Sequence, residues 1–353
     1  MTGLGVYTKN LVQALLQEPR NGFEFSLLSK GQSEDWNTFQ RLVWENSELP
    51  KRAKAERVDI LHVPAFSPPL LKPCRTVVTV HDLIGMIFSN QLGLPSRFYW
   101  GKWLPLAVKS AQAIIADSEN TKRDLIKYLH LAPERVKVIY PSGHEGFILH
   151  QDATSFKALR ERLGIKEKYF LAVGTLEPRK NLFRVVDAFS KFLDSKKKGE
   201  SYQLVVAGLT DFAHGKFVKL LSEKSSRGAN PILLTGYIKR EELNMLYSGA
   251  VGFIFPSLYE GFGIPILEAM ASGTPVLTSR TSSLPEVAGD AAYFVDPSDT
   301  EAIAKGMSDL ADDEGLRKEL VSKGFNRIQS FSWRDVARKT VEVYEMVKDG
   351  RIA

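Results

Sequence analysis

Short apolar runs rich in Val, Ile and Leu alternate with stretches of helical periodicity along almost the whole chain. In the first part, Phe25–Leu28, Asp59–Val63, Thr76–Val80, Ile114–Ala116 and Val136–Ile139 read as strands bounded by Pro and polar clusters. Val6, Leu11, Val12, Leu15 and Leu16 recur at the spacing of one helix face, and Ser118 is placed to cap a helix running to Leu129. A second series follows Pro141. Phe170–Val173, Gln203–Ala207, Ile232–Thr235, Gly252–Phe255, Pro275–Thr278 and Tyr293–Val295 read as strands, with helices at 181–197, 214–226, 240–248, 264–272 and 299–311. Strands that alternate with helices form parallel sheets covered on both faces. A chain of 353 residues is about twice an ordinary domain of ~100–200. The expected class is α/β, with two doubly wound domains over 1–141 and 142–331. An amphipathic helix from Trp333 to Lys348, within 332–353, should cross back onto the first domain. Ligands of such sheets bind at the carboxyl ends of the strands, so motifs there are the candidate sites.

Composition narrows the class further. Apolar residues are 44% and charged residues 25%, the ordinary globular mix. The net charge is +6, and residues 1–150 hold 18 basic against 14 acidic side chains. That mild excess suits an anionic small ligand or an acidic membrane surface and is too diffuse for nucleic acid. The single cysteine, Cys74, excludes an intrachain disulfide and fits a reducing compartment such as the cytoplasm. No apolar run approaches the ~18–20 residues of a spanning helix, and no fixed-period repeat is visible.

Four motifs stand at expected strand ends. The strongest is Glu260-Gly261-Phe262-Gly263-Ile264-Pro265-Ile266-Leu267-Glu268, after the strand Gly252–Phe255 and opening a helix. Gly261 and Gly263 permit a tight turn, Pro265 suits an early helical position, and free amides at the helix start can meet a phosphate or a sugar hydroxyl. The plain structural reading is a capping acid followed by an exposed helix glutamate. The second motif, Glu177-Pro178-Arg179-Lys180-Asn181, places two cations after Phe170–Val173, suited to a diphosphate or to a solvated helix start. The third is Gly3-Leu4-Gly5, a glycine loop expected to feed the helix beginning at Val6, or merely a tight turn. The fourth is His81-Asp82 after Thr76–Val80. His81 is a candidate neutral base or hydrogen-bond partner for a sugar hydroxyl; the alternative is a structural histidine on a backbone carbonyl. The other histidines, including His62 and His144, read as structural. No strand ends in an Asp-x-Asp metal clamp, and Asp312-Asp313 falls in a helix-connecting stretch.

These segments, with Gly174-Thr175-Leu176, Ala207-Gly208 and Thr235-Gly236-Tyr237, resemble the retaining group-one glycosyltransferases of GT-B fold over nearly the whole chain. The resemblance implies two Rossmann-like domains facing across a cleft and a nucleoside-diphosphate sugar as donor substrate, GDP-mannose first and a UDP-sugar second. It implies no obligatory cofactor and no metal. Glu260 then contacts the donor sugar and Glu268 accepts hydrogen bonds from the ribose. Lys180, with Arg179, meets the diphosphate. Gly3, Gly5, Gly261, Phe262 and Gly263 line the donor, Ile238 lies beside the base within Thr235–Lys239, and His81, Lys180 and Glu260 are the catalytic set. Many members carry an arginine where this chain has Thr175, which leaves one cation unaccounted for. Retention without a clearly placed carboxylate nucleophile favours a front-face displacement, the leaving phosphate helping to deprotonate the acceptor.

The expected acceptor is a glycan or lipid-linked sugar in polysaccharide biosynthesis, with peripheral contact at the inner membrane face. On Ser96–Ala111 a helix would present Arg97, Gly101, Pro105 and Lys109 as a narrow stripe. Tyr99, Trp100, Trp103, Leu104, Leu106, Ala107 and Val108 would cover the rest, packed in the core or dipped into a membrane surface. Two rivals differ in class. A nicotinamide-dependent oxidoreductase fails because Thr8 holds the third glycine position of its fingerprint and no strand precedes Gly3. A catalytically silent nucleotide-sugar-binding protein, or a subunit of a glycosyltransferase complex, is the other. The family's glycine loop normally follows a first strand, so about a dozen or more residues are expected upstream of Met1.

Overall fold

The structure, a computed structural model, describes residues 3–17, 22–29, 38–65, 67–150, 152–197, 200–208 and 231–352. The chain forms two compact units, Met1–Pro141 with Phe331–Ala353, and Ser142–Ser330. Each is built on a parallel sheet.

The first unit holds β1 (Ile60–Val63), β2 (Arg75–Val80), β3 (Ala113–Ala116) and β4 (Val136–Val138), in the order β1-β2-β3-β4. Parallel pairing sets Val77 beside Ala113 and Ile114 beside Val136. Side chains alternate across a strand, and the two faces bury different sets. Val77, Ala113 and Ile115 pack with Tyr7, Leu11 and Leu15 of the helix Gly3–Gln17 and with Val336, Val341 and Tyr344 of the helix Trp333–Lys348. Val78, Val80, Ile114 and Ala116 pack with Leu104 and Val108, and with Leu125 and Leu129 of the helix Glu119–Leu129. Ser118 caps that last helix by accepting from the Thr121 amide. The C-terminal helix is pinned to the sheet by a buried polar pair: the Tyr344 hydroxyl lies 2.7 Å from His62 Nδ1, and Thr79 Oγ1 lies 2.9 Å from His62 Nε2.

Two expectations fail here. Phe25–Leu28 is not a strand; residues 23–29 run as irregular chain, with Phe23 packed edge-on and Phe25 tilted against Tyr344 rather than pairing with a neighbour. Gly3 and Gly5 do not form a loop before Val6. They lie in the first turns of the helix Gly3–Gln17, where burial of Tyr7, Leu11 and Leu15 outweighs the weak helix propensity of glycine.

The second unit holds β5 (Lys168–Val173), β6 (Tyr202–Ala207), β7 (Ile232–Gly236), β8 (Gly252–Phe255), β9 (Val276–Ser279) and β10 (Ala292–Val295). The order is β10-β9-β8-β5-β6-β7, with every neighbouring pair parallel. The chain leaves β5 outward through β6 and β7, then returns to the other side of β5 as β8. The order therefore reverses between β5 and β8, and the crevice at their carboxyl ends is the ligand position of such a sheet. The helix expected over 214–226 lies outside the described residues. Among the described residues, three helices longer than ten residues went unforeseen, Thr38–Ala55, Ala153–Leu163 and Glu314–Ile328, as did the short helices Ile84–Ile87 and Leu284–Ala288.

Tyr344→Phe tests the pin on the C-terminal helix. It leaves a buried imidazole nitrogen unpaired, so urea unfolding should show a loss of about 1–2 kcal/mol. An unchanged midpoint would mean the pair contributes nothing.

Candidate active site

The turn after β5 and the loop after β8 are laced together at the switch point. The Leu258 amide donates to the Arg179 carbonyl at 2.7 Å. Asn181, with φ 61°, donates its side-chain amide to the carbonyls of Pro256 and Pro297 at 3.0 and 2.7 Å. This stitching brings the second motif onto the first. Glu260 is buried. Its Oε2 accepts from Arg179 Nη1 at 2.7 Å, and Lys180 Nζ lies 2.7 Å from its Oε1. Lys180 Nζ also sits 4.7 Å above the Phe255 ring. Arg179 reaches back through Nε to Glu177 Oε2 at 2.7 Å, while Thr175 donates to Glu177 Oε1 at 2.6 Å. Burial alone would raise the Glu177 carboxyl; the Thr175 hydroxyl and the Arg179 charge outweigh it and hold the group below its usual range. The result is an alternating set of two carboxylates and two cations.

The peptide around Glu260 is clamped from β9. The Glu260 amide donates to Ser282 Oγ at 3.0 Å, and Ser283 Oγ donates to the carbonyls of Glu260 and Phe262 at 3.0 and 2.7 Å. Gly263 then turns the chain into the helix Ile264–Ala271 with φ 115°. A Cβ there would lie 2.8 Å from Leu284, so conformation and space both require glycine. At the neighbouring strand tips, a Cβ on Gly208, at φ 93°, would come 3.4 Å from the Gly174 amide nitrogen.

Glu268 lies on that helix, apart from the Glu260 cluster. It accepts from the Tyr247 hydroxyl at 3.2 Å. Burial pushes its carboxyl up to about 7, against the pull of Arg240 and the Tyr247 hydrogen bond. Arg240 is itself committed: it donates to the carbonyls of Gly143 and Glu145 and lies 4.4 Å over the Phe147 ring. Ile238 is half-buried at the exit of β7, beside the exposed Tyr237.

The structure brings Arg179, Lys180, Glu260, Gly261, Phe262 and Gly263 together, with Glu268 farther along the same helix. Gly3, Gly5 and His81 belong to the first unit. His81 does not have the free ring expected of a neutral base. Its Nδ1 lies 2.6 Å from Asp117 Oδ2 and its Nε2 2.9 Å from the Pro64 carbonyl. Burial works against the charged ring, but the Asp117 carboxylate and both hydrogen bonds prevail and raise its pKa. A carbonyl only accepts, so Nε2 carries a proton, and a raised pKa favours one on Nδ1 as well. Both ring nitrogens of His81 are thus engaged within the first unit. Sequence reasoning missed Tyr247, Ser282 and Ser283. The Thr281-Ser282-Ser283 hydroxyl run after β9 was a usable signal; nothing singled out Tyr247.

The sequence pattern of the glycosyl transferases group 1 matches residues 155–327, and that of glycosyltransferase family 4 matches residues 1–142. The chain belongs to the group-1 glycosyltransferases. Among curated relatives it is similar to the O-antigen chain mannosyltransferase B of Escherichia coli, 29% identical over 77% of this chain and 71% of that one. It is also 30% identical to the serotype-specific mannosyltransferase WbdA of Escherichia coli over 76% of this chain, and spans about a third (33%) of that longer relative. Among solved structures it resembles WaaG, a glycosyltransferase involved in lipopolysaccharide biosynthesis, with a TM-score of 0.73 at 17% identity, covering 97% of this chain and 96% of that one. The fold is GT-B, the chain is an enzyme, and a group-1 glycosyltransferase takes a nucleotide sugar as donor.

Glu268 gives a pH signature. Its folded pKa of about 7 lies above the ordinary 4.5. The stability it contributes is therefore full below pH 4.5 and lost as pH rises through 7. The stability of Glu268→Gln relative to the parent should climb across that window. Denaturant midpoints that differ by a constant amount from pH 4 to pH 8 would refute the shift.

Proposed function

We propose that the enzyme transfers mannose from GDP-mannose, with retention, to a glycan or lipid-linked acceptor in the synthesis of a surface polysaccharide. Peripheral contact with the inner face of the cytoplasmic membrane is part of the same reading. The observation that supports it is the convergence of Arg179, Lys180 and Glu260 at the β5–β8 switch point, in a chain whose curated relatives named above are mannosyltransferases.

Arg179 is held by Glu177, Glu260 and the Tyr259 carbonyl, whereas Lys180 has one carboxylate and one ring. Lys180 is thus the cation free to turn toward a diphosphate. In this reading Glu260 orients the donor sugar, Glu268 accepts from the ribose, and the guanine packs beside Thr235–Lys239. There Tyr237, 83% exposed, offers a ring face for stacking. The bond from the anomeric carbon to the β-phosphate oxygen breaks. The acceptor hydroxyl oxygen bonds that carbon from the same face, and a leaving phosphate oxygen takes the hydroxyl proton. Lys180 stabilises the charge that develops on the phosphate.

A panel of nucleotide sugars, assayed for hydrolysis and for transfer, tests the donor. GDP-mannose should be consumed in preference to UDP-sugars; turnover of UDP-sugars alone refutes mannose. In calorimetry, Glu268→Gln should weaken GDP binding by about 1–3 kcal/mol. Lys180→Ala should lower turnover by about a hundredfold or more while changing GMP affinity far less. Equal losses in both would place Lys180 away from the β-phosphate.

A further inference from the structure

Tyr247 is a buried phenol to which the proposed reaction gives no task. It lies on the helix Arg240–Gly249, between β7 and β8, and is fully buried. Its ring packs edge-on against Phe253 of β8 and against Phe147, with centroids 5.2 and 5.9 Å apart. The backbone there is held as well: Thr274 Oγ1 donates to the Tyr247 carbonyl at 2.6 Å. One helical turn earlier, Asn244 Oδ1 accepts from Ser272 Oγ at 2.9 Å and from the Ile148 amide at 3.1 Å. Ser272 Oγ lies 2.8 Å from the Glu268 carbonyl, one turn back on its own helix. These contacts seam the helix Arg240–Gly249 to the carboxyl-terminal end of the helix that carries Glu268.

A phenylalanine would fill the same space between those rings. What the hydroxyl adds is its contact with Glu268 Oε2, 3.2 Å away. Burial, followed by the Glu268 charge, pushes the phenol well above its ordinary value, so it keeps its proton and acts as a donor. The other carboxylate oxygen is not used in this way. Among the described residues Glu268 Oε1 accepts no hydrogen bond, and Glu268 is half-buried rather than enclosed. An unheld glutamate has several rotamers and loses that freedom when a ligand fixes it. Here a donor locked in the core fixes one oxygen before any ligand binds and leaves the other to accept.

We propose that Tyr247 is the positioning residue for ribose recognition: its hydroxyl holds Glu268 Oε2, so that Oε1 is presented to the ribose hydroxyls of the donor nucleotide. The inference rests on the assignment of Glu268 to the ribose made above. Tyr247 acts through Glu268 and not on the ligand itself. It thereby sets how strongly the site prefers a ribonucleotide over its deoxy forms, because a nucleotide that lacks the hydroxyl gains nothing from a well-placed acceptor.

Calorimetry on the full chain tests this with GDP, or with UDP if that is the base bound, and with the 2′-deoxy and 3′-deoxy forms of the same nucleotide. The parent should bind the ribonucleotide more tightly than at least one deoxy form. Tyr247→Phe keeps the ring and its packing. It should weaken the ribonucleotide by about tenfold and that deoxy form by less than about twofold, so the preference collapses. In a Glu268→Gln background the same replacement should change affinity by less than about twofold, because the group it positions is already gone. Affinity for the deoxy form also reports that Tyr247→Phe is folded. Equal weakening of all three nucleotides would show a structural role and overturn the proposal, as would an unchanged ribonucleotide affinity or effects that simply add in the double variant. The two assignments fail differently. If neither nucleotide binds, or if Glu268→Gln keeps the parent's preference, the ribose assignment falls and Tyr247 with it. If Glu268→Gln abolishes the preference while Tyr247→Phe keeps it, the role of Tyr247 alone is refuted.

Discussion

A carboxylate as buried as Glu260 is tolerable only when its charge is met. Arg179 and Lys180 meet it from consecutive positions of a single turn, each at 2.7 Å. That requirement fixes much else. The turn after β5 must lie against the loop after β8, which it does through the Leu258 amide and the Asn181 side chain. The Glu260 peptide must then hold its direction, and Ser282 and Ser283 hold it from the next strand. Gly263 supplies the backbone angle that starts the helix carrying Glu268. The sheet order provides the crevice, and the ion set ties its two walls together.

The two histidines on the sheet of the first unit show how neighbours, rather than burial alone, decide charge. His62 meets only hydroxyls, from Tyr344 and Thr79, and burial drives its pKa down to about 3. His81 is also desolvated, but the Asp117 carboxylate reverses the outcome. The two rings of one unit are thus shifted in opposite directions. The sequence reading treated His81 as the reactive one because it ends a strand. Position brought it to the strand tip, and its neighbours then occupied both of its nitrogens.

The parallel strands were legible because a strand buried on both faces reads as an unbroken apolar run, as in Ile114–Ala116 and Gly252–Phe255. Phe25–Leu28, apolar but for Ser26, reads the same way and failed, since Phe23 and Phe25 pack on a helix from the other end of the chain. The helix Thr38–Ala55 escaped notice for the opposite reason: it is rich in charge and carries Pro50 inside it. Glu260, Arg179 and Lys180 stood out because glycines and a strand framed them. Tyr247 did not, because the contact that makes it relevant, 21 residues away on Glu268, exists only once two helices pack.

The position of Thr175 follows from the same charge balance. The resemblance led to an expected cation there. In the structure Thr175 donates to Glu177, and Arg179 is spent on Glu177 and Glu260. The local set therefore sums to two negative and two positive groups. A diphosphate that enters beside it meets no surplus side-chain charge unless Lys180 leaves Glu260. If Lys180 does leave, Arg179 still covers the buried carboxylate, so the exchange need not expose an unpaired charge. Two cations on one acid would be redundant for stability alone. In the proposed reading their arrangement gives one fixed counter-ion and one that can be released toward the leaving group.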